Sequence, residues 1–327
     1  MNMEEVCMPV IPKFATLPTV GQTGERHAWD VFGRNDQLGT VNLLTPELVK
    51  RAATLVRTGR VINLTLSLNF PLTIYGGFRS AGYRHHIEVT RTSRDDYVDN
   101  FAMQGSSQWD SLRHIRFREF GYYGGRQDAD LDEKGELGIE NWACHGIIGR
   151  GVLLDAAGYM EQQGKPLDQT KKFSMDGTFL EQVAHAQNVT LASGDILILR
   201  TGWLTWYKSL DHTGREKLKG AIRTGPDGLA CPGLDASQAT AGWVWDRQFA
   251  AIASDNVALE ALPVDASVGF QHRRLIALQG MPIGEVWDLD ELAQACTEDG
   301  IYEFMLVSAP LNLPGGVGSP PNAYAIK

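Results

Sequence analysis

Between Gln104 and His114 the segment QGSSQWDSLRH brings two side-chain amides, a carboxylate and an imidazole into eleven residues. Gln104 and Gln108 are four apart, as are Asp110 and His114, and on a helix each pair would share a face. Oxygen and nitrogen donors at that spacing can hold a divalent metal, or the carboxylate can orient the imidazole as a base. Far downstream, His272 in GFQHRRLIAL and Glu285 in GMPIGEVWDLDEL add a second imidazole and a second carboxylate. Glu285 sits in an otherwise apolar, glycine-punctuated run, where an ionised carboxylate needs a cation or metal beside it unless the run is an exposed turn. His272 precedes Arg273 and Arg274, which suits a solvated position as well as a site. Other catalytic templates fit less well. The chain has no GxSxG elbow, no HExxH pair and no P-loop, and the GxxGRG of HGIIGRGVLLD is not the dinucleotide spacing GxGxxG.

The elements that must position these groups belong to an ordinary globular chain of 327 residues, 43% hydrophobic and 21% charged, a composition that argues against disorder. A net charge of −9 leaves no basic footprint for nucleic acid and no polybasic membrane patch. MNMEEVCMPVIPKF carries glutamates where a secretory signal would carry positive charge, and no apolar run is long enough to span a bilayer, so a cytoplasmic location is expected. Cys7, Cys144, Cys231 and Cys296 lack CxxC spacing and read as reduced structural thiols.

Thr45 as N-cap, Pro46 in the first turn and Gly59 as a stop predict a helix carrying the stripe Leu48, Ala52 and Leu55. Ile62, Leu64, Leu66, Leu68 and Phe70 alternate with polar residues and predict a strand with one buried face. His86–Thr90 is a second short strand. Residues 117–142, rich in glycine, aromatics and acids, form a lid or binding loop, or else a solvated excursion. Apolar runs at 147–154, 196–199 and within AAIASD predict buried strands, interleaved with helices at TFLEQVAHAQ and around 241–249. A last helix is expected in DLDELAQACTED, with Asp288 as N-cap, then a strand in FMLVSAPLNL and an irregular tail. The pattern points to an α/β or layered mixed fold, with no linker to divide residues 1–327 into two domains.

Five blocks, NDQLGTVNLLTPE at 35–47, HGIIGRGVLLD at 145–155, GDILILRTGW at 194–203, GMPIGEVWDLDEL at 280–292 and PLNLPGGVGSPPNA at 310–323, occur in an order that resembles the cyclase family of metal-dependent hydrolases, which includes bacterial kynurenine formamidases and isatin hydrolases. The resemblance implies a single layered α/β domain of the swivelling β/β/α type, with a mixed, partly barrel-like β-sheet flanked by helices, assembled as a homodimer or homotetramer. The family signature HxGTHxDxxxH places its aspartate on Asp110 and its last, proton-transferring histidine on His114, with His272 and Glu285 as the downstream metal ligands. Gln104 and Gln108 stand where the signature has its other histidines, and Ser106 and Ser107 where it has GT.

The resemblance thus implies a divalent ion held by Gln108, Asp110, His272 and Glu285, manganese ahead of zinc because amide and carboxylate oxygens suit harder ions. His114 and Glu285 would be the catalytic groups. They would cleave a carbon-nitrogen bond of a cyclic amide, lactam or aryl formamide with a metal-activated water. The alternatives are a metal-free acid/base cyclase, dehydratase or lactone hydrolase, and a non-catalytic small-molecule binding protein. Gln104, Trp109, Phe117, Tyr122 and His145 are expected at the substrate. For Trp109, Phe117, Tyr122 and Tyr123 core packing is the other assignment, and for His145 a structural role.

Overall fold

In the computed structural model, which describes residues 10–68, 70, 73–223 and 228–327, three apolar runs form the centre of the fold as adjacent parallel strands. Numbered along the chain, the strands among the described residues are β1 (Val61–Asn63), β2 (Arg84–Val89), β3 (Arg94–Asp99), β4 (Gln108–Asp110), β5 (Ile147–Asp155), β6 (Phe173–Met175), β7 (Ile196–Arg200), β8 (Pro232–Leu234), β9 (Ala251–Ser254), β10 (Ile283–Glu285), β11 (Glu303–Ser308), β12 (Gly318–Ser319) and β13 (Ala323–Ile326). One nine-stranded sheet has the order β1, β13, β11, β5, β7, β9, β10, β4, β12. Its centre, β5 to β10, is parallel and its flanks are antiparallel, so the sheet is mixed, and it curls into a half-barrel flanked by helices. Parallel neighbours require crossovers, and helices Ala156–Gln162 and Gly177–Ala186 supply the one from β5 to β7. Covered on both faces, β7 and β9 carry unbroken buried runs rather than alternation.

The helix after Thr45 begins as expected, with the Thr45 hydroxyl accepting the Leu48 backbone N–H, but it ends at Ala53, so Leu55 lies outside it. Thr45→Ala should cost about 1 kcal/mol of stability, measurable by denaturant unfolding. Ile62, Leu64 and Leu66 are buried in alternation, yet ladder pairing stops at Asn63 and Leu68 is exposed; Asn69 lies outside the described residues. Residues 117–142 are not one continuous loop: they hold the short helix Asp128–Lys134 and the start of another, Glu140–His145. Asp288 does not cap the helix Asp290–Asp299; its carboxylate accepts from Lys208 Nζ at 2.6 Å. The tail is more regular than its glycines and prolines suggest, because β12 pairs with β4 and β13 lies between β1 and β11. Of the cysteines, Cys144, Cys231 and Cys296 are free thiols; Cys7 lies outside the described residues.

Residues 104–114 are not helical, so the four-residue spacings there do not share a helix face. Gln108–Asp110 form β4, held between β10 and β12, and a turn follows to His114. Three residues carry too little periodicity to reveal a strand, and the pairing that stabilises this one comes from β10 and β12, far along the chain. Close backbone packing also fixes β10: Thr40 N–H donates to Gly280 O at 2.8 Å, and a Cβ on Gly39 would fall 1.8 Å from that oxygen. Gly39 also has φ of +63°, so glycine is required there on two counts.

Candidate active site

On β4 successive side chains point to opposite faces. Trp109 therefore turns into the core, fully buried, edge-on to Trp287 at 4.8 Å, with its indole N–H donating to Ser308 Oγ at 2.9 Å. Gln108 and Asp110 share the other face, both fully buried. Gln108 stands opposite Glu285 in the ladder and its amide donates to Glu285 Oε2 at 2.5 Å. His272 enters at the start of the π-helical segment Arg273–Leu278, a helical irregularity common at functional sites.

The imidazoles meet around Asp110. Asp110 Oδ2 lies 3.6 Å from His114 Nε2 and 3.7 Å from His272 Nε2. One donor atom from each of Asp110, His114 and His272 falls within 4.8 Å of the others, as a metal site requires. Their partners distinguish the two histidines. Gln104 Nε2 donates to Asp110 Oδ1 and lies 3.0 Å from His114 Nδ1, so Nδ1 accepts and the proton of neutral His114 is on Nε2. Burial holds the His114 pKa below the ordinary imidazole value against the pull of Asp110, which keeps the ring neutral. His272 also turns Nε2 to Asp110, but its Nδ1 has the opposite role, facing an acceptor rather than a donor. Its Nδ1 lies 3.0 Å from Glu260 Oε1 and its backbone N–H donates to Glu260 Oε2 at 3.2 Å, so Nε2 faces Asp110 and, at 2.9 Å, Glu285 Oε1.

Burial alone would depress the His272 pKa, but Glu260 and Glu285 outweigh it and hold it well above 6.5. Burial, then repulsion from Asp110, lifts the Glu285 carboxyl to about 7 despite His272. Tyr75 hydroxyl, 3.4 Å from Glu285 Oε2, is kept protonated by burial and by that carboxylate. Two buried oxygens in the cluster, Asp110 Oδ2 and Gln108 Oε1, have no hydrogen-bond partner. Orphaned acceptors beside a correctly oriented imidazole are the signature of a site built for a cation, so the donor set fits a divalent ion.

The structure therefore brings together Gln104, Gln108, Asp110, His114, His272 and Glu285. Trp109 is directed away from them by strand alternation. Phe117 is buried against Val20, Ala277 and Leu278. Tyr122 donates its hydroxyl to Asp128 at 3.0 Å, and His145, exposed at a helix end, bonds to Gly146 O at 2.8 Å; neither makes a hydrogen bond or ring contact to the cluster. Tyr123, also weighed as a pocket wall, is fully buried and bonds to Asp36 at 3.0 Å. Glu260 and Tyr75 were missed. Glu260, in VALEALP, is a lone acid in an apolar run, the same signal that singled out Glu285. Glu260→Gln keeps the shape and removes the charge that orients His272, and should weaken metal binding and kcat/KM by about 10- to 100-fold, read by metal titration and initial rates.

Comparison with known proteins shows the family. The Cyclase family model matches residues 47–261, which include β4, His114 and Glu260. A crystal structure described as a novel cyclase is 33% identical, with a TM-score of 0.77, covering 92% of this chain and 97% of that one. Isatin hydrolase A from Labrenzia aggregata is 15% identical with a TM-score of 0.56 (85% and 97% covered), and its counterpart from Ralstonia solanacearum is 14% identical with a TM-score of 0.56 (86% and 98%); these share the fold. Among curated proteins none matches significantly. By the span of the family match, and by the identity and coverage of the cyclase structure, this chain belongs to the cyclase family.

Proposed function

We propose that the chain is a hydrolase that opens a carbon-nitrogen bond of a cyclic amide, lactam or aryl formamide, working as a single domain in the cytoplasm. The observation that carries the reading is Asp110 Oδ2, a buried carboxylate oxygen without a hydrogen bond, facing Nε2 of two imidazoles whose Nδ1 atoms meet opposite partners, a donor amide and an acceptor carboxylate. Asp110, His272 and the Gln108 carbonyl would hold a divalent ion, manganese better than zinc given the oxygen-rich set; bound there, it would acidify a water and polarise the substrate carbonyl.

Of the two roles expected for Glu285, ligand and proton carrier, its pKa near 7 suits the second. Glu285 takes the proton from the attacking water as the new carbon-oxygen bond forms, then returns it to the nitrogen as the carbon-nitrogen bond breaks. His114, locked by Gln104, presents a fixed Nε2–H that stabilises the developing negative charge. Burial of Asp110, Gln108 and Glu285 keeps bulk water from competing for these hydrogen bonds.

A metal-free acid/base reaction, ring closure or dehydration, is the second reading, favoured by the 2.9 Å His272–Glu285 contact, which is a complete proton-sharing pair without an ion. A panel of lactams, formanilides and lactones assayed with the parent and with His114→Ala decides. Amide hydrolysis that falls by about 10²-fold or more in the variant supports the proposal; dehydration or cyclisation with no hydrolysis refutes it.

A further inference from the structure

The two segments that deliver the histidines continue past them into one cavity of about 290 Å³. Phe117 and Arg118 follow His114, Phe270 and Arg273 flank His272, and all four line the cavity. The Phe270 ring stacks on the His272 imidazole with centroids 4.9 Å apart and planes within 5°, so the cavity wall is in direct contact with the site. Each aromatic ring carries a cation over its face: Arg118 over Phe117 at 5.5 Å and Arg273 over Phe270 at 5.8 Å.

Neither guanidinium has an ion pair or hydrogen bond among the described residues. Arg274, next in the chain, shows what a structural arginine looks like here: buried, bonded to Glu25 through Nε at 2.8 Å and through Nη2, and to Val268 O at 2.9 Å. That pairing also neutralises Glu25, the one acid among the described residues that line the cavity. Arg118 holds φ at +51°, a left-handed backbone that bulky residues rarely adopt, at the cavity rim. An anion approaching this site meets a chain of net charge −9 and the carboxylates Asp110, Glu260 and Glu285. Two unpaired guanidinium groups beside aromatic faces offset that repulsion locally, and their planar donor forks match carboxylate and phosphate oxygens.

We infer that the cavity is a subsite for an arene bearing an oxyanion, carboxylate or phosphate, with its ring against Phe117 and Phe270 and its charge on Arg118 and Arg273. The substrate class of the proposed hydrolase narrows to aryl amides carrying such a group, an assignment that rests on the reading above. Calorimetric titration of the full chain with benzoate, phenyl phosphate and benzamide tests the subsite without turnover. At least one of the anions should bind about tenfold or more tightly than benzamide, and which one does identifies the oxyanion. Arg273→Gln should erase that preference, and Arg273→Lys should keep part of it. In the kinetic arm, the ratio of kcat/KM for a carboxylated formanilide over plain formanilide should fall about tenfold in Arg273→Gln. Anion preference that vanishes in Arg273→Gln while no amide is hydrolysed upholds the subsite and refutes the hydrolase. Benzamide bound as tightly as both anions, or a preference unchanged in Arg273→Gln, overturns the subsite whatever is hydrolysed.

Discussion

Asp110→Asn is expected to lower kcat/KM for amide hydrolysis by about 10³-fold or more while leaving the fold intact. The substitution is isosteric and preserves the acceptor that Gln104 uses, and the backbone pairing of β4 with β10 and β12 does not depend on the side chain. What it removes is the negative charge at Oδ2, the one atom facing both imidazoles. Because His272 keeps Glu260 and Glu285 as partners and Glu285 loses the repulsion of Asp110, the loss of that charge should leave the thermal midpoint largely unchanged. Initial rates and a thermal melt on the same preparation check both halves. A large drop in midpoint would show that Asp110 is structural.

Stripping divalent ions should reduce turnover by about 10²-fold or more, with Mn²⁺ restoring it better than Zn²⁺. Two of the three proposed donors are oxygens, one from the neutral Gln108 amide, a set that suits a harder ion than zinc. The affinity should also depend on pH in one direction. Without an ion, Glu260 and Glu285 hold His272 protonated above its ordinary range, against the effect of burial. The ring must lose that proton to offer Nε2, so affinity rises with pH by about tenfold per unit up to the His272 pKa and weakens as pH falls. Manganese titrations between about pH 6 and about pH 8 read the slope. A flat profile would remove His272 from the donor set.

What the sequence reveals of this molecule follows how local each signal is. The central strands were legible because a parallel strand covered on both faces must be apolar throughout, as Ile196–Leu199 is. Thr45 was legible because capping is a contact over three residues. β4 was not, since its existence depends on β10 and β12, and neither were β12 and β13, whose partners lie elsewhere in the chain. At the site, Asp110, His114, His272 and Glu285 were named individually, but spacing alone left each ambiguous; only the resemblance joined them, and only the fold gave the Nδ1 atoms of the two histidines different partners, Gln104 and Glu260. Glu260 escaped although it carries the same mark as Glu285. Trp109 was left between pocket wall and core, and only the strand decides for the core, because in a strand adjacent residues face opposite ways.

Anomalous diffraction at the manganese edge, from crystals grown with Mn²⁺, tests the metal assignment most directly. The assignment predicts one peak bonded to Asp110 Oδ2 and His272 Nε2, with the Gln108 carbonyl as a further ligand and His114 not bonded to it. A peak bound elsewhere, or none at this cluster in protein that hydrolyses its substrate, would contradict it.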